Sequence, residues 1–201
     1  MGWKASCIFV NQREPGYLGT FPKHDPALAR ELVAALPVPP HVALERTNLE
    51  LAMDPDPGRL FVGAYPGGAV ICEFDLAQSC IAPTPPPVIR ALSKHYAGAP
   101  ILAITLHSVV NLYGYAYFEV GKLRRARAGT DGGEPFLGVG EPLPEELPLL
   151  RDNACGEEIV FAIADRYFGA PIDEVDIWDL EMARFTPVHP RRSFWQRWFG
   201  N

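Results

Sequence analysis

Apolar residues recur along the chain at two spacings, one typical of strands and one typical of helices. The strand pattern is clearest in a short apolar run at 4–10, a nearly continuous run at 101–106 and an alternating stretch at 112–120. The continuous run predicts a central strand covered on both faces, because a strand buried on one face alternates. In the alternating stretch, three tyrosines fall on one face and small or apolar residues on the other.

Helical spacing occurs in three segments with recognisable start or stop signals. Asp25 and Pro26 predict an N-cap and a first helical residue, and this helix must end before Pro37 because proline restricts the residue ahead of it. A second amphipathic helix follows a proline cluster at 83–87, and a third covers about 156–168. The sequence therefore predicts about three helices.

Two pairs of strands are predicted to form hairpins. The first pair, 59–65 and 69–74, is separated by a Pro-Gly-Gly turn, and a Gly-Lys turn at 121–122 joins the alternating strand to a return strand at 123–128. Strands and helices are interspersed without a regular βαβ series. We therefore expect an α+β fold with a mixed, largely antiparallel sheet and about three packed helices.

Length and composition fit one globular domain. The chain has 201 residues, of which 48% are hydrophobic and 21% are charged, so neither general disorder nor a membrane span is indicated. We expect a single α+β domain over 1–190, followed by a basic, aromatic C-terminal tail over 191–201. The first apolar run is too short for the core of a signal peptide, which predicts a cytoplasmic location and no transmembrane segment.

Net charge and motif content exclude several functional classes. A formal charge of −6 disfavours general nucleic-acid binding, which requires a basic surface to neutralise phosphates. The four cysteines are far apart and form no CxxC motif, which favours free thiols over a zinc site or disulfides. Neither GxGxxG nor GxxxxGK[ST] occurs. We therefore predict no cofactor and no metal.

Several short motifs occur in an order that points to one family. They are the start with Met1, Gly2 and Lys4, His107 to Asn111 (HSVVN), Asp131 to Gly133 (DGG) and Gly140 to Pro144 (GEPLP). Together they resemble an uncharacterised bacterial family known only as a domain of unknown function. The resemblance extends from the start of the chain to about Gly169. It implies a soluble bacterial α+β protein without an assigned activity, and it transfers no catalytic residues.

Polar residues at strand ends are the catalytic candidates. His107 and Ser108 follow the buried strand, and Asp131 lies on a glycine-containing loop after the second hairpin. A histidine beside a carboxylate can act as a general base, and a serine within its reach can act as a nucleophile. No G-x-S-x-G motif surrounds Ser108, and the same residues can simply shape turns and caps. A small hydrolase-like enzyme using His107 with Ser108 or Asp131 is therefore the alternative hypothesis.

The primary hypothesis is a module that acts by protein or ligand binding. The tyrosine face can stack on a ligand or pack under a helix. The tail combines three arginines with four large aromatic residues, a composition found at protein interfaces, although these aromatics can equally pack onto the parent domain or a second copy. Association with a protein partner or self-association through the tail is predicted. The predicted binding residues are Asn111, Tyr113, Tyr115, Glu141, Arg192, Trp195 and Trp198.

Overall fold

A nine-stranded antiparallel sheet forms the middle layer of the fold. The computed structural model of the chain describes residues 2–188. The strands are β1 (Lys4–Asn11), β2 (His41–Asn48), β3 (Leu60–Tyr65), β4 (Gly68–Cys72), β5 (Ile101–His107), β6 (Leu112–Glu119), β7 (Lys122–Thr130), β8 (Leu137–Val139) and β9 (Glu181–Pro187). They lie in the order β2-β9-β3-β4-β1-β5-β6-β7-β8, and all of these neighbours run antiparallel.

Helices cover both faces of this sheet. They are α1 (Pro26–Ala35), α2 (Leu49–Ala52), α3 (Phe74–Cys80), α4 (Pro87–His95), α5 (Glu146–Arg151) and α6 (Gly156–Phe168). One layer contains α1, α3 and α4, and the other contains α2, α5 and α6. The α+β class is therefore confirmed. Three short helices, α2, α3 and α5, add to the three that helical periodicity predicts.

The middle of the sheet consists of strands that are apolar on both faces. In β1, Cys7 and Phe9 face the layer of α6, while Ile8 and Val10 face the layer of α1. Its neighbour β5, which contains the continuous apolar run, divides its residues in the same way. A strand flanked by helices on both sides must bury both of its faces, which explains the absence of alternation in these two strands.

The alternating strand β6 also divides between the two layers. Its three tyrosines pack in the core beneath α5 and α6, while Ala116 and Phe118 pack in the core on the other face. The hairpin turn that follows lies one residue earlier than predicted, because Val120 (φ 50°) and Gly121 (φ 71°) occupy its two central positions. Two-residue turns with positive φ at both positions match the twist of the flanking strands.

The predicted boundary between domain and tail falls close to the last residue that the structure describes. The tail over 191–201, with Arg192, Trp195 and Trp198, lies outside the described residues, so the division at 190 stays a prediction. Within residues 2–188, no helix combines the length and the apolar character needed to cross a bilayer.

Candidate functional site

The predicted catalytic residues share one end of the sheet without hydrogen bonding to one another. His107 ends β5, and its Nδ1 is buried with no partner among residues 2–188. The backbone N–H of Ser108 donates to the Trp3 carbonyl oxygen over 3.1 Å. The carboxylate of Asp131, two strands away from β5, accepts from a helix N-terminus. The hydrolase hypothesis therefore gains no support from this geometry and stays a prediction.

Asp131 connects the end of β7 to the start of α6. Its Oδ1 accepts a hydrogen bond from the backbone N–H of Gly156 at 2.7 Å, and its own N–H donates to the carbonyl oxygen of Asn111 at 3.1 Å. Glu158 Oε2 accepts from the N–H of Cys155 at 3.0 Å. The first N–H groups of a helix lack partners within the helix and carry partial positive charge, so both carboxylates stabilise α6.

Replacing Asp131 with alanine should lower the free energy of unfolding by about 1 kcal/mol, the usual cost of removing a helix cap. Urea denaturation measures this loss. Asp131→Asn is the matched control, because its amide oxygen can still accept the hydrogen bond from Gly156. If Asp131→Asn is as unstable as Asp131→Ala, the negative charge of Asp131, and not its hydrogen bond to Gly156, stabilises the start of α6.

Tyr113 and Tyr115 lie beneath α5 and α6, with 5% and 0% of their surfaces exposed. The ring of Tyr113 packs so closely on Gly156 that a Cβ there would overlap it, and the Tyr113 hydroxyl accepts from Arg127 Nε at 3.2 Å. Burial raises the pKa of the Tyr115 hydroxyl, which lies beside Glu146. In these positions, neither ring presents a face on which a ligand can stack.

Glu141 and Asp131 lie at opposite ends of the sheet. Asp131 follows the end of β7, whereas Glu141 follows the end of β8, and these two strands are antiparallel. Glu141 therefore does not join His107 and Asp131 around a common ion. Throughout the part of the chain that the structure describes, no group of three His, Cys, Asp or Glu side chains has the geometry of a metal site.

A buried ion pair between Arg125 and Glu146 joins β7 to α5. The side chains are 7% and 0% exposed, and Arg125 Nε and Nη2 donate to the carboxylate oxygens at 2.8–3.1 Å. Arg125 Nη1 donates to the Gly140 carbonyl oxygen at 2.9 Å, and Glu146 Oε1 accepts from the Leu143 N–H at 2.9 Å. The pair thus holds both ends of the loop that contains the GEPLP motif.

A pocket lined by both apolar and polar side chains opens at the end of the sheet opposite His107. It lies where β1 and β6 end and β5 begins, beside the last turn of α6 and the start of α5. Its volume is about 410 Å³. We call it the Tyr–Arg pocket, and its polar lining includes Asn11, Arg13, Tyr117, Glu145, Arg166 and Tyr167.

An ordered ionic network forms one wall of the Tyr–Arg pocket. Arg166 Nε and Nη2 donate to the two carboxylate oxygens of Glu145 at 2.5 and 3.0 Å, and Nη1 donates to the Tyr117 hydroxyl at 3.1 Å. The guanidinium lies 5.1 Å from the centroid of the Tyr117 ring. The hydrogen bonds to Glu145 raise the pKa of Arg166, so its charge is permanent. Bidentate pairing and the aromatic contact together fix the direction of this side chain.

Tyr167 contributes a hydroxyl group without a partner. The residue is 1% exposed, and among residues 2–188 no group hydrogen-bonds its Oη. Burial raises the pKa of this hydroxyl well above its ordinary value, and Tyr117 and Arg166 lie near enough to influence it. The group is therefore a neutral donor. Buried polar groups almost always find a partner, so this hydroxyl is an unused hydrogen-bonding group on a residue that lines the pocket.

Sequence reasoning missed this pocket because its residues come from five separate segments of the chain. Tyr167 falls on the apolar stripe of α6, so periodicity assigns it to the core and says nothing about its hydroxyl. The polar segment at 11–14, which begins at the last residue of the central strand β1, is the feature of the sequence that could have indicated this region, since loops at strand ends commonly carry function.

An apolar depression lies near the edge of the sheet formed by β2, on the face covered by α1 and α3. It consists of adjoining cavities of about 350 and 650 Å³ that share Val38, Pro39 and His41. We call it the proline groove. Besides the shared residues, its lining includes Pro37, Val42, Leu60, Leu76, Phe185 and Pro187.

Comparison with known proteins gives a family and no activity. Neither the curated proteins nor the solved structures contain a match to this chain. A family model described as a family of unknown function (DUF6928) matches residues 5–155, which is more than half of the chain. The match spans β1 to β8 and ends before α6. The chain belongs to the DUF6928 family, whose function is unknown.

Proposed function

We propose that this domain acts by binding a small polar ligand in the Tyr–Arg pocket. The observation that carries the proposal is the Tyr167 hydroxyl, which is buried and lacks a partner among residues 2–188. It lies beside a wall that Arg166 and Tyr117 hold rigid. Ligand sites are typically concave and combine a few fixed polar groups with apolar walls. Pro15 and Pro100 supply the apolar walls here.

The charges around the pocket favour a small ligand with at least one acceptor oxygen. Arg166 and Glu145 neutralise each other. Arg13, whose side chain packs on Gly67, forms no ion pair within 4 Å to any carboxylate of residues 2–188 and lines the pocket together with Tyr167. A carboxylate or hydroxyl oxygen can accept from both groups. Asp165 lines the same pocket and offers an acceptor to a donor elsewhere on the ligand.

Ligand-observed NMR on the full chain tests this proposal. The probes are short-chain carboxylic acids, free amino acids and monosaccharides. We expect at least one of these classes to bind, and we expect Tyr167→Phe to weaken its affinity about tenfold, the cost of losing one hydrogen bond in a buried site. Tyr115→Phe is the matched control, because it removes a buried hydroxyl that lies outside the pocket.

Two results would contradict the ligand proposal. One is a wild-type chain that binds none of the three probe classes. The other is an affinity that Tyr167→Phe leaves unchanged, or that Tyr115→Phe weakens by the same factor.

Association with a protein partner or a second copy through the tail stays a prediction, which rests on the arginine and aromatic content of 191–201. The Val188 N–H donates to the Pro40 carbonyl oxygen at 2.9 Å, so the chain leaves β9 at the rim of the proline groove. We also propose a bacterial origin and a cytoplasmic location. The family resemblance supports the first, and the spacing of the four cysteines, which are far apart in sequence and form no CxxC motif, supports the second.

A further inference from the structure

The proline groove presents an open apolar surface at the edge of the sheet. It lies between the end of α1, the edge strand β2 and the start of α3. Val42, on β2, is 48% exposed and lines the larger cavity. Apolar surface of this kind on a globular domain commonly marks a place where another segment or another protein binds.

The chain itself arrives at this groove. Pro187, the last residue of β9, lines the smaller cavity, and the Val188 N–H is held by the Pro40 carbonyl oxygen. Residues 189–201 continue from this point. Phe194 is six residues beyond Val188, which corresponds to at most roughly 20 Å of extended chain. The aromatic residues that follow Val188 are therefore within reach of both cavities.

The chemistry of residues 189–201 complements the groove. The segment contains Phe194, Trp195, Trp198 and Phe199, together with three arginines and no acidic residue. The exposed Asp75 lines the smaller cavity, and Arg30 lines the larger one. Residues 1–188 hold all 24 acidic residues and 15 of the 18 Lys and Arg, a formal charge of −9. Large aromatic rings bury more apolar surface than other side chains, and the arginines are opposite in sign to the net charge of residues 1–188.

We propose that the proline groove is the docking site for the aromatic residues of this chain's own segment 189–201. A segment attached at the rim of its site has an effective concentration in the millimolar range, which exceeds that of a second copy at micromolar protein. The segment of the same chain therefore occupies the groove in preference to the segment of a second copy. The inference is independent of the Tyr–Arg pocket and holds whether or not that pocket binds a ligand.

Collisional quenching of tryptophan fluorescence by acrylamide tests the docking. In the full chain carrying Trp3→Phe and Trp178→Phe, emission comes from Trp195 and Trp198 alone. We expect a quenching constant at least about twofold below that of the synthetic peptide 189–201, because docked rings are shielded from the quencher. The constant should not change between low and high micromolar protein.

Charged substitutions locate the docking site. Val42→Lys and Leu76→Lys, each in the same background, should raise the quenching constant to that of the peptide. Leu147→Lys is the matched control, since Leu147 is 43% exposed on α5, on the opposite face of the sheet, and should leave the constant low. Val42 is half exposed on an edge strand, so its replacement tests the groove without threatening the core.

Three outcomes would overturn the proposal. One is a quenching constant equal to that of the peptide at every protein concentration. Another is protection that appears only at high concentration, together with a doubled mass in light scattering, which would assign the segment to a second copy. The third is protection that persists in both Val42→Lys and Leu76→Lys while their circular dichroism matches that of the parent chain.

Discussion

Replacing Arg125 with methionine should lower the free energy of unfolding by about 3–5 kcal/mol, because it leaves the carboxylate of Glu146 buried without its counter-charge. Glu146 has no exposed surface, and Arg125 supplies three of its hydrogen bonds. Guanidinium denaturation followed by far-UV circular dichroism measures the loss. Few single substitutions in this chain should cost as much.

The double variant Arg125→Met/Glu146→Leu provides the control for this prediction. Replacing both members of a buried ion pair with apolar residues of similar volume is often close to neutral. Here the Gly140 carbonyl and the Leu143 N–H also lose their partners, so we expect the double variant to recover about half of the loss or more. A double variant as unstable as Arg125→Met would show that packing, rather than charge burial, sets the cost.

Replacing Gly140 with alanine should lower the free energy of unfolding by about 2–5 kcal/mol, the sum of left-handed backbone strain and steric overlap. Gly140 has φ 76°, and a Cβ at this position would overlap the carbonyl oxygen of Arg124. The overlapped atom belongs to the backbone of β7, so rotation of a side chain cannot relieve it. Thermal and urea unfolding both measure the effect.

Gly132 separates the two causes of the predicted loss at Gly140. It has φ 80°, but the space around it is open, with no atom within 4 Å of an added Cβ. Gly132→Ala should therefore cost only the backbone strain, about 1 kcal/mol. Equal losses at the two glycines would contradict the steric argument.

Both predictions concern the loop that connects β8 to α5 and thereby positions a wall of the Tyr–Arg pocket. Glu146 points into the core towards Arg125, while the preceding residue, Glu145, pairs with Arg166 in the pocket. Neighbouring carboxylates thus have different roles because they face different surroundings. Any change that shifts this loop should also disturb the alignment of Arg166, so α5 couples stability to the geometry of the Tyr–Arg pocket.

Local physical chemistry determined the elements that the sequence could predict. Asp25 accepts from the N–H groups of Ala27 and Leu28 at the start of α1, as an N-cap does, and the continuous run at 101–106 forms the doubly buried strand β5. The alternation in β6 assigned its tyrosines to one face. Each of these three features depends on residues within one helical turn or one strand. Residues close together in the sequence are therefore sufficient to predict it.

Elements with weak local patterns emerged only from the tertiary structure. β2 is an edge strand that exposes most of its residues, so it has no hydrophobic alternation to detect. Helix α3 begins at Phe74, which its sequence pattern had assigned to a strand, because β4 ends at Cys72 and Glu73 caps the helix by accepting from the Leu76 N–H at 2.6 Å. In the sequence, a residue that caps a helix cannot be distinguished from a residue that ends a strand, because the hydrogen-bond partner of its side chain is unknown.

The sequence by itself determined the α+β class, the long helices and the strands of the middle of the sheet. Only the tertiary structure decided that β9 inserts between β2 and β3, and that Asn11, Tyr117, Glu145 and Tyr167 line one pocket. Strand order and pocket composition depend on contacts between residues far apart in the chain. Such contacts depend on the total burial and hydrogen bonding of the folded state. The local hydrophobic periodicity of the sequence does not contain this information.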